Sequence, residues 1–177
     1  MKMLDKPAPG RSCGSCTLCC KVLGIVELAK PADKWCPHCD IGKACRIYDT
    51  RPPSCRTFHC LWLADDRIGD HWKPDRSKIV IRPGWNGNSL EVRCDPGHPG
   101  AWRKEPYHAE LMQMVMTARA FDGAVLVVHN DDCTLIAPEG EFHLGVVAPD
   151  QRIVQRFQGT RLIGARLIHE SEAKSLG

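Results

Sequence analysis

Residues 13–20 read Cys13-Gly14-Ser15-Cys16-Thr17-Leu18-Cys19-Cys20, and residues 35–39 read Trp35-Cys36-Pro37-His38-Cys39. A gap of two residues lets one tight turn bring both sulfurs to a single ion, the spacing that recurs in structural zinc sites and in iron–sulfur ligation. Gly14 helps the first turn bend. The vicinal Cys19 and Cys20 diverge, so one of them serves a second centre or stays a buried thiol. With Cys45, Cys55 and Cys60, nine of the eleven cysteines fall within residues 13–60, and only Cys94 and Cys133 lie beyond. Eleven in 177 residues is about 6%, short of the ~8–10% of secreted disulfide scaffolds. In a reducing compartment such a cluster points to metal or redox chemistry rather than to cross-links.

The same segment is poor in apolar periodicity. Val22, Leu23, Ile25, Val26 and Leu28 form its one apolar stretch, and Trp35, Ile47, Tyr48 and Phe58 are isolated. A module so thin needs a staple, and a structural metal supplies about 10–16 kcal/mol of apparent folding free energy in small zinc peptides. The expected fold is therefore α+β: a small metal-stapled, cysteine-rich N-terminal region packed on an antiparallel sheet with one main helix. Residues 1–12 read as a flexible tail, 13–63 as the cysteine cluster and 78–170 as the α+β region, the last two forming one compact unit. Residues 64–78, polar and broken by Gly69 and Pro74, read as a connecting loop.

Beyond that loop, residues 78–82 and 89–94 are β-branched-rich runs joined through Asn86-Gly87, a hairpin signal. Residues 106–121 place Leu111, Met112, Met114, Val115 and Ala118 at helical spacing and close on Asp122-Gly123. Residues 124–129, 133–137 and 141–147 read as three further strands, and residues 161–170 as a strand or a short helix. Cys94 and Cys133, each alone in a strand, read as small buried hydrophobes. Trp72, Trp85 and Trp102 sit in loop-like surroundings; core anchors are the commoner reading there, a binding face the other.

The cysteines continue through Cys45-Arg46-Ile47-Tyr48, Arg51-Pro52, Cys55-Arg56, Phe58 and Cys60. This order, a CxxCxxCC array, then a CPH element, then C-x-I-Y-x-x-R-P-x-x-C-R-x-F-x-C, resembles the bacterial cysteine-cluster proteins known as zinc- or iron-chelating domain proteins. The matching cysteines are Cys13, Cys16, Cys19, Cys20, Cys36, Cys45, Cys55 and Cys60, and the likeness ends at residue 60. Cys39 departs from it, since an apolar residue is more usual at that place. The resemblance implies a metal-binding protein whose cofactor is zinc or iron, including an iron–sulfur cluster. The array is also similar to that of flagellin lysine methylases, which implies an iron–sulfur enzyme modifying a protein side chain as the alternative.

The candidate metal ligands are thus Cys13, Cys16, Cys19, Cys20, Cys36, Cys39, Cys45, Cys55 and Cys60. These exceed the four of one tetrahedral zinc or one cubane, so two centres form or some thiols are not ligands. Thiolate softness excludes calcium and magnesium. His38 and His59 are close enough in sequence to join a site, and Lys43, Arg46, Arg51 and Arg56 to balance thiolate charge. A net charge of +3 is too mild for a nucleic-acid footprint, and no C2H2 pattern is present. A zinc module binding nucleic acid is accordingly the weaker alternative. No glycine-rich phosphate loop or nucleophile elbow occurs in residues 64–177. The expected partner is a metal ion, with no membrane partner and a cytoplasmic address: no run approaches the ~20 apolar residues of a membrane span, and residues 1–10 lack an apolar leader.

Overall fold

A computed structural model describes residues 6–84 and 88–173. Short elements carry the cysteine region: α1 (Cys19–Val22), the paired strands β1 (Cys39–Asp40) and β2 (Ala44–Cys45), α2 (Pro53–Thr57) and α3 (Leu61–Ala64). Then follow α4 (Pro74–Ser77), β3 (Ile79–Pro83), β4 (Leu90–Cys94), α5 (Tyr107–Arg119), β5 (Val125–His129), β6 (Asp132–Ala137), β7 (Gly140–Val146), β8 (Gln151–Gln158), β9 (Arg161–His169) and α6 (Glu170–Ala173). The α+β class holds, but the main sheet is mixed rather than antiparallel. Its order is β3-β4-β5-β6-β7, and β4 and β5 run parallel, with Val92 beside Val127. A parallel pair needs a crossover of a dozen or more residues, and the stretch that carries α5 supplies it. The hairpin signal at Asn86-Gly87 lies outside the described residues, as does Trp85.

Alternation along the strands gives the sheet two buried faces. Leu90, Val92, Cys94, Val125, Val127 and Ile136 join one core with Leu111, Val115 and Ala118 of α5. These helix positions follow the i, i+4, i+7 spacing of one face, and each large side chain buried there contributes about 1.5–3 kcal/mol. The helix stops where Asp122 turns left-handed (φ +56°) and the Gly123 N–H donates to the Ala118 carbonyl at 2.8 Å. Gly123 is required there because a Cβ would lie 2.1 Å from the Asn88 carbonyl oxygen. On the opposite face Leu126, Val128, Cys133 and Leu135 pack under the β8–β9 hairpin through Leu162, with Ile153 and Ala165 beside it. Sequence reading left β8 unassigned because its few apolar residues sit among charged and amide ones, with Ile153 and Val154 only half buried and Phe157 exposed. Nearer β3 the hairpin gives way to an ionic cluster, where Arg82 and Arg93 both bond Glu91, the former at 2.7 Å.

Two expectations change. The tail does not hang free from residue 8 onward. Ala8 is buried and its N–H donates to the Leu63 carbonyl at 2.8 Å, while the Arg11 guanidinium donates to the carbonyls of Trp62, Asp65 (2.7 Å), Asp66 (3.3 Å) and Ile68 (2.5 Å). Residues 64–78 are not a mere connector either. They hold a 3-10 turn (Asp70–Trp72) and α4, and they seat Trp72 in the core with its Nε1–H on Glu110 at 2.5 Å. Trp102 is buried too, so both described tryptophans of that group are core anchors. Leu18, Val22, Leu23 and residues 60–63 join that same core, which packs the cysteine region directly on the sheet. Lys21 adds an ion pair to Asp95 at 2.6 Å.

Candidate metal centre

All eleven cysteines are free thiols, and the nine of the N-terminal region lie in one lobe. Two of the three CxxC spacings form the expected turn: the Cys16 N–H donates to the Cys13 carbonyl at 2.9 Å, and the Cys39 N–H to the Cys36 carbonyl at 3.0 Å. The two turns are tied together, since the Cys36 N–H donates to the Cys20 carbonyl at 3.0 Å. After the second turn, β1 and β2 set Cys39 directly opposite Cys45. Gly42, left-handed at φ +71°, makes the hairpin bend, and its N–H donates to Thr17 Oγ1 at 3.0 Å, docking the hairpin on the first array. Cys55 sits on α2, at whose start Glu27 accepts from the Ser54 N–H at 3.2 Å and from the Ser54 hydroxyl at 2.8 Å.

Side-chain electrostatics join the thiols into one connected set, since Cys13 also feels Cys20. Cys20 interacts with Cys19 and Cys39, and Cys55 feels Cys20, Cys36 and Cys45. Cys60 instead feels Cys16 and Cys13. Burial pushes the Cys39 thiol up to about 11 and the Cys60 thiol up to about 12. Cys20 is driven up by its hydrogen bond to Cys19 first and by burial second. Against this, backbone N–H groups of Leu18 and Asp75 point to the Cys16 sulfur and that of Leu63 to the Cys60 sulfur, contacts that favour thiolate.

The cations around the lobe are only partly those nearest in sequence. Arg51 stacks on Tyr48, 3.8 Å from the ring centroid, and acts on Cys13. Lys43 is exposed and 3.9 Å from Asp40, and Arg46 donates to the Pro37 carbonyl. The innermost cation is Lys30, which sequence reading missed: 5% exposed, it donates to the carbonyls of Lys21 (2.7 Å) and Leu23, and its charge acts on Cys36, Cys20 and Cys19. A lysine closing the apolar run 25–30 was the signal for it. Cys94 and Cys133 are buried in β4 and β6, as small hydrophobes would be.

Among the described residues no group of three or more His, Cys, Asp or Glu side chains is assembled closely enough to hold a metal ion. His38 and His59, both half-buried, therefore join no such group. The chemistry of the donors nonetheless fits a thiophilic ion, being reduced sulfur beside buried cations and N–H donors. Three buried polar atoms without a hydrogen-bond partner, Arg51 Nε, Trp62 Nε1 and Asp75 Oδ1, belong to residues bordering the Cys13, Cys16 and Cys60 neighbourhood. Among the described residues no helix is long and apolar enough to cross a membrane. Comparisons with protein-family models, curated proteins and solved structures return no match.

Proposed function

We propose that this chain is a cytoplasmic metal-binding protein that chelates zinc or iron, the iron including an iron–sulfur cluster, through the thiolates of Cys13, Cys16, Cys19, Cys20, Cys36, Cys39, Cys45, Cys55 and Cys60. The observation that carries this reading is the gathering of nine reduced thiols in one lobe, their sulfurs interacting with one another and with Lys30 and Arg51. The spacing resemblance to zinc- or iron-chelating domain proteins supports it. A bound ion would link the two turns and the β1–β2 hairpin and supply the staple that this lobe's few apolar residues do not. The chain's own part is to desolvate the sulfurs, hold the turns in place and place cations beside them. Because burial favours the protonated thiol at Cys13, Cys16, Cys39, Cys55 and Cys60, metal uptake there releases protons. Elemental analysis with a visible spectrum on anaerobically prepared protein tests the proposal: zinc without colour or iron with a brown chromophore is expected, the latter identifying a cluster. A folded preparation that retains neither metal and takes up none with its thiols reduced would refute it.

A further inference from the structure

We propose that Cys39 and Cys45 form a reversible oxidation site, a cross-strand disulfide whose formation withdraws two thiols from the metal lobe; what the bond controls rests on the metal-binding reading above. The geometry is in the backbone. Cys39 and Cys45 are directly opposed across an antiparallel pair, and so are Asp40 and Ala44. The Arg46 N–H donates to the His38 carbonyl at 2.9 Å, which places the ladder's hydrogen bonds at the neighbouring pairs and makes Cys39 and Cys45 a non-hydrogen-bonded pair. In such pairs the Cα atoms lie about 4.5 Å apart with side chains on the same face and close together. Disulfides span Cα separations of about 4.4–6.8 Å, so no backbone rearrangement is needed, and closure at the short end of the range leaves a strained, readily reduced bond. Access is open: both cysteines are half-buried, and Asp40, Ile41 and Ala44 around them are exposed. Cys20 also contacts the Cys39 side chain, so it is the competing partner that the test must separate.

The oxidant is a small-molecule disulfide such as oxidised glutathione. One cysteine, as thiolate, attacks a sulfur of the oxidant, giving a mixed disulfide and expelling one glutathione thiolate. The second thiolate attacks the cysteine sulfur of that mixed disulfide, forming the Cys39–Cys45 bond and expelling the second. The cysteines lose two protons and two electrons, and one oxidised glutathione becomes two reduced molecules. Bound metal blocks the reaction by occupying the same sulfur lone pairs, and the closed disulfide in turn removes two donors from the lobe.

The test uses the full chain, stripped of metal under reductant and then exposed to oxidised glutathione, with alkylation of free thiols and peptide mass mapping without reduction. The expected first product is the Cys39–Cys45 linkage, reversed by dithiothreitol, absent from Cys39→Ser and Cys45→Ser, and slowed at least tenfold in protein preloaded with zinc. A first product joining Cys20 to Cys39 or Cys19 to Cys20, or glutathione adducts with no internal bond, would overturn the pairing. Linkage at the same rate with and without zinc bound would overturn its coupling to metal. Zinc uptake by the reduced chain is measured in parallel. If neither zinc nor, on anaerobic reconstitution, iron binds yet Cys39 and Cys45 still pair, the metal reading falls while the oxidation site stands.

Discussion

Replacing Arg11 by methionine keeps an unbranched apolar stem but removes the guanidinium, which is the donor to the carbonyls of Trp62, Asp65, Asp66 and Ile68 and stacks 5.0 Å from the Trp62 ring centroid. Hydrogen bonds to a charged group contribute about 1.5–3 kcal/mol each when shielded. The contacts to Trp62, Asp65 and Ile68 are partly buried; the one to Asp66 is exposed and adds little. Summed and discounted for water that reaches the freed carbonyls, the loss is about 3–5 kcal/mol. With total stabilities of about 5–15 kcal/mol, that is a large share, and at about 2–4 °C per kcal/mol for a chain of this length it lowers Tm by about 6–20 °C. Urea titration followed by tryptophan fluorescence measures the first quantity and differential scanning calorimetry the second. Arg11→Lys should fall between the two proteins, because a single ammonium cannot fork across several carbonyls. A loss below about 1 kcal/mol in Arg11→Met, with no new protease cleavage ahead of Cys13, would refute the clamp.

Further perturbations separate the other parts. Lys30→Met strands the Lys21 and Leu23 carbonyls, offset in part by sparing an ammonium its desolvation, for a net loss of about 1–3 kcal/mol in urea titration of metal-free protein. The same variant should bind zinc more weakly in competition with a chromophoric chelator. Burial raises the Glu91 carboxyl, but the hydrogen bond and charge of Arg82, joined by Arg93, outweigh it and hold the group below the usual range. Its contribution is therefore complete above the unfolded carboxylate value of about 4.3 and is lost as pH falls through the folded one. The stability gap between the parent and Glu91→Gln should accordingly close in urea titrations carried to lower pH. Leu162→Ala, on the face that the hairpin covers, should cost about 2–4 kcal/mol and raise amide exchange first in β8 and β9.

The strands and helix of residues 78–147 were legible because their hydrophobic periods are undiluted: Leu111, Val115 and Ala118 mark the helix, and the continuous run at residues 124–128 marks a strand buried on both sides. What was not legible depended on partners distant in sequence. The parallel join of β4 to β5 is a property of the crossover, not of either strand's composition. Trp72 was legible as a core anchor despite its polar neighbours, but its bond to Glu110, 38 residues on, was not. In the candidate site, cysteine spacing foretold both turns. It did not foretell Lys30, Thr17 or the opposition of Cys39 and Cys45, since these depend on how the hairpin docks on the first array.

The cysteine lobe and the sheet draw on one interior, through Val22, Leu23, Leu61, Trp72 and Ile79 together. The lobe is consequently not portable. Cutting the chain within residues 64–77, where composition suggests a seam, would strip Trp72 from one fragment or its neighbours from the other and leave each with bare apolar surface. A grafted or excised version would have to carry β3 and α5 with it. Ligand loss in the lobe, by the same logic, would be felt as slackening across the sheet rather than as the melting of an appended bead.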